Sequence, residues 1–295
     1  MSTSSSEPVA TQSGAAGKPL DGKVALVTGS VRKPGIGRAT IRRLVAMGAA
    51  VVCGDQVAPP GSDVAARDTA VVPAELLQGF VDELNAEGAR AVAVDVDVAD
   101  PRAIERAVTR AVMEFGRLDI CCHLGGGTSP DRDGPLMEIT DEAWAVTTER
   151  IYSSVFHVTR AVAAQMIRQG EGGAIVHLGS FAGVRLGSGP PAFSAAKVGA
   201  EALTKLFARE LAPHDIRVNM VHPLGVDPGD ASVNPGLARA AARAGRTVEE
   251  WMRDMIPMGR WQQADETAAV IAFLCSPDAS FTSGQAISVA GAATP

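Results

Sequence analysis

The stretch Lys23-Val24-Ala25-Leu26-Val27-Thr28-Gly29-Ser30-Val31-Arg32-Lys33-Pro34-Gly35-Ile36-Gly37 decides the fold. Its first part, KVALVT over 23–28, is a short β-branched apolar run that reads as a buried strand. A turn with glycines at 29, 35 and 37 follows, and GRATIRRLVAMG (37–48) reads as a helix ending on Gly48. Glycines let the backbone turn sharply and approach a phosphate. The helix behind them offers free N–H groups and the positive end of its dipole to a pyrophosphate. A glycine triplet alone is a weak signal, but one lying between a strand and a helix points to a dinucleotide.

Outward from this unit the chain keeps alternating. Strands are expected at 49–55, 89–96, 118–124, 173–180, 216–222 and 285–291, with helices at 74–86, 101–115, 141–169, 192–212 and 264–276. Continuous apolar strands alternating with helices imply an α/β fold with a parallel, doubly wound sheet. There is no internal repeat and no second core, so residues 20–295 read as one domain behind a Ser/Gly/Ala-rich tail at 1–19 that is expected to be disordered. Two stretches break the rhythm. Residues 56–73 are longer than a usual strand–helix connection, and 225–257 form a candidate lid where such sheets bind ligands.

The 295 residues are 46% hydrophobic and carry a net charge of −6, which supplies a core and disfavours nucleic acid or an anionic membrane as partner. No apolar run approaches a membrane span, and the N-terminus lacks the apolar stretch of a secretory signal. Cys53, Cys121, Cys122 and Cys275 form no C-x-x-C pair and no metal-binding spacing, so they read as core residues in a reducing cytoplasm. Asp55 closes the second strand. A carboxylate there accepts ribose hydroxyls and repels a 2′-phosphate, which favours NAD; Arg32 and Lys33 in the glycine loop pull towards NADP.

With these pieces in view the chain resembles the short-chain dehydrogenase/reductase family from about residue 20 to its end. The resemblance rests on the T-G-x5-G-x-G loop, two residues longer than the family's usual form, with Asp97-Val98, Ser180, Lys197, Asn219, Pro223 and the closing Phe281-Thr282-Ser283-Gly284-Gln285. It implies a Rossmann fold and a nicotinamide cofactor. That cofactor would be held by Gly29, Arg32, Gly35, Ile36, Gly37, Asp55, Asp97, Val98, Gly125, Lys197, Pro223 and Val226. It also implies hydride transfer to or from a small molecule, and dimers or tetramers built on the 141–169 and 192–212 helices. In the family a tyrosine moves the proton, with its pKa lowered by a lysine one helical turn away. A serine binds the substrate oxygen, and an asparagine supports a relay water.

The chain departs from that pattern on the nicotinamide side. Ser180 and Lys197 stand at the serine and lysine positions, but Phe193 occupies the tyrosine's place and has no hydroxyl. Ile151 stands where the asparagine belongs, His123-Leu124-Gly125-Gly126 replaces Asn-Asn-Ala-Gly, Leu224 follows Pro223, and Pro228 replaces a threonine. The adenosine side is intact. His177, His123 and Tyr152, or Ser180 with Lys197 as a weak acid–base pair, are the groups that could replace the tyrosine, the histidines each with a structural reading beside the catalytic one. Four outcomes stay open: a protein repurposed for non-redox chemistry on a small apolar molecule, a non-catalytic subunit beside an active homologue, an active dehydrogenase with another proton donor, and an engineered Tyr→Phe change. Ile151 and Pro228 speak against the last.

Overall fold

In the computed structural model the first strand, Val24–Thr28 (β1), sends its residues alternately into two cores. Val24 and Leu26 enter one; Ala25 and Val27 enter the other, on the opposite face of the sheet. The structure describes residues 17–33, 35–62, 71–127, 134–227, 229, 238, 241, 242 and 244–294.

The remaining strands are β2 (Ala50–Val57), β3 (Val71–Val72), β4 (Ala91–Asp95), β5 (Ile120–His123), β6 (Gly173–Leu178), β7 (Ile216–Pro223) and β8 (Ala286–Val289). The sheet runs β4-β2-β1-β5-β6-β7-β8, entirely parallel, with the short β3 pairing with the last two residues of β2. Strand order reverses between β1 and β5, so a crevice opens at their carboxyl ends. The helices are α1 (Ile36–Ala46), α2 (Ala74–Ala86), α3 (Pro101–Phe115), α4 (Asp141–Thr148), α5 (Ser154–Gln169), α6 (Phe181–Val184), α7 (Pro191–Leu211), α8 (Val248–Met255) and α9 (Ala264–Cys275). Residues of α1, α2 and α9 pack into the core that holds Ala25 and Val27, and residues of α3, α5 and α7 into the other.

The expected doubly wound sheet is present, with three differences in detail. The long helix expected over 141–169 is divided by a π turn, Glu149–Ser153. There the Ser154 amide reaches back five residues to the Glu149 carbonyl, and the Ser154 hydroxyl donates to the freed Arg150 carbonyl at 2.8 Å. The second strand runs on to Val57 because Gln56 and Val57 pair with β3, inside the connection read as loop. The candidate lid contains α8, whose Thr247 and Glu250 form a reciprocal capping box and whose Met252 is buried. Leu20 is buried and donates to the Met47 carbonyl. Residues 1–16 and most of 228–243 lie outside the described residues.

Candidate active site

The glycine loop closes on itself. Gly29 has φ +71°, and a Cβ there would come within 2.7 Å of the Gly125 amide. A Cβ on Gly37 would run into the Gly29 carbonyl, and one on Gly35 into the Arg32 carbonyl. Ser30 and Val31 are buried, whereas Arg32 and Lys33 project outward. Arg32 donates to the Val71 carbonyl at 2.7 Å, which ties the loop to β3. Pro34 and Pro228 lie outside the described residues.

Asp55, two residues before the end of β2, is buried under this loop. Its Oδ2 accepts from the Ser30 amide (2.7 Å), the Ser30 hydroxyl (2.8 Å) and the Val31 amide (2.9 Å). Burial raises the Asp55 pKa, and the three donors work against that rise. One carboxylate oxygen is thus saturated by the protein, and Oδ1 accepts from none of the described residues. Asp55 shares one cleft with Gly29, Asp97, Val98 and Gly125, all expected at the dinucleotide site, with Gly126 of the same expected motif, and with Gln56 and Arg150, which were not foreseen. The Asp97 carboxylate accepts from Gln56 Nε2 at 2.8 Å and from the Ala99 amide at 2.9 Å, so it braces the turn after β4.

Further along the carboxyl edge, β5 and β6 set His123 opposite His177, their rings edge to face with centroids 6.2 Å apart. Hydroxyls fix both tautomers. Ser154 Oγ spends its proton on the Arg150 carbonyl, so His123 Nε2–H donates to it (3.0 Å) while Nδ1 accepts from Thr28 Oγ1 (2.8 Å). Thr204 Oγ1 spends its proton on the Ala200 carbonyl, so His177 Nδ1–H donates to it (2.9 Å) and Nε2 accepts from Thr159 Oγ1 (2.9 Å). Burial and the nearby Lys197 charge hold His177 down at about 3, and the same causes, together with His177, push His123 well below the usual imidazole range. Both rings are neutral structural groups. Tyr152 lies against Gly199, where a Cβ would meet its ring at 2.8 Å.

Ser180 follows β6 and caps α6, its Oγ accepting from the Ala182 amide at 3.2 Å. Its hydroxyl proton is donated to no described group. Lys197, buried on α7, donates to the Leu178 carbonyl at 2.6 Å and has its ammonium 5.5 Å from the centroid of the Phe193 ring one turn earlier. Burial lowers the Lys197 pKa to about 8. Ile151 is buried within the π turn. His222, unremarked in the sequence, puts Nδ1 3.0 Å from the Ser180 amide and Nε2 3.0 Å from Glu201 Oε2. Since Glu201 accepts from Nε2–H, Nδ1 accepts the Ser180 amide proton. Its signal, a histidine four residues before Val226 on the last residues of β7, is legible only once β6 and α7 are placed.

Pro223 ends β7, and Val226 pairs with Gln262 in an isolated parallel bridge. Gly225, with φ +58°, packs so closely under Met252 and Ile256 that α8 is seated beside the end of β7. Asn219 is structural: it donates to the Thr282 carbonyl and accepts from the Gln285 amide, joining β7 to the segment before β8. No helix among the described residues is long and apolar enough to cross a membrane, and no cluster of metal-binding side chains occurs among them.

Comparison with known proteins agrees with this architecture. Residues 29–294 match a family model described as "Enoyl-(Acyl carrier protein) reductase". The chain is 33% identical over 272 residues to the 3-oxoacyl-[acyl-carrier-protein] reductase FabG of Thermotoga maritima, covering 92% of this chain and 98% of that protein. It is 34% identical over 281 residues to a cyclohexanol dehydrogenase of a Rhodococcus species, covering 94% and 97%. A crystal structure of a short-chain type dehydrogenase/reductase from Mycobacterium marinum superposes with a TM-score of 0.76 at 25% identity, over 94% of this chain and 97% of that one.

Proposed function

The chain belongs to the short-chain dehydrogenase/reductase family, whose members are NAD(P)-dependent oxidoreductases, and from that premise we propose that it binds NAD(H) but has given up most of the family's hydride transfer. Its pocket then serves a small apolar molecule in non-redox chemistry, or the chain acts as a weakly catalytic or silent subunit. The observation that carries this reading is that, among the described residues, none of the three side chains singled out to replace the phenol is placed to do so. Phe193 has no hydroxyl, His123 and His177 are neutral and committed to hydroxyls, and Tyr152 lies on Gly199.

The adenosine half of a dinucleotide suits the residues present. The cleft is walled by the backbone of Gly29, Gly125 and Gly126 and by Val98, with Asp55 Oδ1 open to a ribose hydroxyl and its charge opposing a 2′-phosphate. The glycine loop and the start of α1, with Gly35, Ile36 and Gly37, would hold the pyrophosphate; Lys197, Pro223 and Val226 would flank the nicotinamide half. The cofactor, when bound, would supply the hydride chemistry. On the protein side, Ser180 offers one hydroxyl proton to a ligand oxygen, and Lys197 offers a buried ammonium that Phe193 screens from water.

A second reading, an active dehydrogenase whose proton comes from Lys197, is favoured by that lysine's descent to about 8, close to working pH. Calorimetry with NADH beside a turnover assay on secondary alcohols separates the two. Binding without turnover supports the first; robust turnover supports the second. The exposed Trp144, Phe156, Val198 and Leu206 on α4, α5 and α7 are the surface we assign to a dimer or tetramer, or to a homologous partner. Four free, buried cysteines accord with a reducing cytoplasm.

A further inference from the structure

Two of the four cysteines meet. Cys122 Sγ, on β5, lies 3.6 Å from the Sγ of Cys275, the last residue of α9, in the core that holds Ala25 and Val27. The other two cysteines serve as internal comparisons. Cys121 enters the opposite core, because successive residues of a strand face opposite ways, and Cys53 has no sulfur partner among the described residues. Hydrogen bonding to Cys275, with burial, holds the Cys122 proton well above the usual thiol range, and burial pushes the Cys53 thiol up to about 12.

Cys275 has a different setting. It is 5% exposed where Cys53, Cys121 and Cys122 are at 0%, and residues Cys275 and Arg217 both border a cavity of about 620 Å³ at the amino ends of β5, β6 and β7. The carbonyls at the end of a helix ordinarily oppose a negative sulfur. Arg217 offsets them: its guanidinium donates to the carbonyls on either side of Cys275, Leu274 at 2.7 Å and Ser276 at 3.2 Å. No carboxylate among the described residues pairs with that guanidinium. Burial lowers the Arg217 pKa and charge on Cys275 raises it, so the guanidinium and a Cys275 thiolate attract each other. A cation beside a thiol favours the thiolate, which is the nucleophile.

We infer that Cys275 and Cys122 form an oxidisable dithiol that takes a hydroperoxide, with Cys275 as the attacking sulfur and Cys122 as the resolving one. The Cys275 thiolate attacks the terminal hydroperoxide oxygen. An S–O bond forms and the O–O bond breaks. The leaving oxygen takes up the proton that Cys275 released and departs as an alcohol, or as water when the oxidant is hydrogen peroxide. The Cys122 sulfur then attacks the sulfenic acid on Cys275. An S–S bond forms, the S–O bond breaks, and the hydroxide leaves with the Cys122 proton as water. The two electrons lost by the sulfurs reduce the peroxide. From their 3.6 Å separation the sulfurs need to close by only about 1.5 Å to form a disulfide. Nothing in this chemistry depends on the dinucleotide cleft.

The test is peptide mass spectrometry of the folded, reduced wild-type protein after brief exposure to hydrogen peroxide, with free thiols alkylated and the digest kept unreduced. The expected product is a Cys122–Cys275 cross-link within one chain, with fragment ions excluding Cys121, Cys53 still free, and both thiols restored by dithiothreitol. Cys122→Ser should stop at a Cys275 sulfenic acid that dimedone captures, and Cys275→Ser should leave Cys122 a free thiol. Arg217→Gln should slow the oxidation of Cys275 by about tenfold, the effect of a one-unit rise in a thiol's pKa. Thermal melts show whether the variants fold, and the wild-type measurement needs none of them. If hydrogen peroxide oxidises Cys275 no faster than Cys53, or if Cys275 goes on to sulfinic acid without the cross-link, the inference is overturned. Equal rates for wild type and folded Arg217→Gln would overturn the activating role of Arg217.

Discussion

Mild acid should destabilise this protein through its buried histidines. The two histidines between β5, β6, α5 and α7 are neutral, with every ring nitrogen used. An unfolded histidine takes its proton near 6.5, whereas folded His177 waits until about 3. In that window the unfolded chain binds more protons, so stability is fully present above about 6.5 and is lost as pH falls towards 3. Between pH 6.5 and 5 the loss for His177 is about 2 kcal/mol, at ~1.36 kcal/mol per unit, and His123 is displaced in the same direction. His222, lowered by burial, contributes in the same direction, while Asp55, raised by burial, opposes at lower pH. Urea unfolding followed by circular dichroism at pH 7, 6 and 5 measures the slope, and His177→Leu should remove its part. Proton NMR should show the His177 ring unchanged from pH 7.5 to 5. A His177 midpoint between 6 and 7, or flat stability over that range, would refute the locked-tautomer argument and restore His177 as a candidate acid.

Three further outcomes follow from single sites. Lys197 should react with an acylating reagent with a midpoint near pH 8, read by peptide mass spectrometry, and because the unfolded lysine holds its proton to a higher pH, its contribution to stability rises above about pH 8; a midpoint above 10 would contradict its burial. Gly37→Ala forces a Cβ against the Gly29 carbonyl and should cost at least about 1–3 kcal/mol in urea unfolding and weaken NADH binding; a variant within 0.5 kcal/mol (roughly the range of a neutral surface change) with unchanged binding would show that the loop relaxes. Asp215 holds φ +55° in the turn before β7, so Asp215→Val should cost about 1–2 kcal/mol where Asp215→Gly is near neutral, and equal melting temperatures would remove the strain argument.

The sheet was legible because its strands are apolar runs of a parallel, doubly covered kind, and the glycine loop because it lies between β1 and α1. What escaped depends on packing between distant segments. The π turn at 149–153 exists because Ser154 can satisfy the Arg150 carbonyl and Gly126 can receive it, and neither contact leaves a mark in local periodicity. β3 is too short to pattern and forms by pairing with the end of β2. Helix α8, by contrast, carried a readable signal in Thr247-x-x-Glu250 before Trp251 and Met252, inside a segment read only as a lid. The sequence left His123 and His177 open between structural and titrating roles. The answer lay in four hydroxyls, on Thr28, Ser154, Thr159 and Thr204, from three other elements of the sheet and helices. Asp55 was legible as the residue closing the second strand, but its commitment of Oδ2 to Ser30 and Val31 appears only when the loop is folded over it.

The most direct test of retained binding without normal hydride transfer puts NADH calorimetry beside rapid-mixing turnover of cyclohexanol and related secondary alcohols, for wild type, Phe193→Tyr and Phe193→Tyr/Ile151→Asn. General acid–base help is worth about 10²–10⁴-fold, so its absence is measurable. The account predicts saturable NADH binding by all three proteins and no measurable turnover by wild type. On the proposal that Leu224, His123 and Pro228 also depart from the family pattern, Phe193→Tyr should recover only a small part of that factor, and Ile151→Asn should add modestly. Wild-type turnover at rates that restoring the phenol does not improve would contradict the account and assign the proton to another group of this chain.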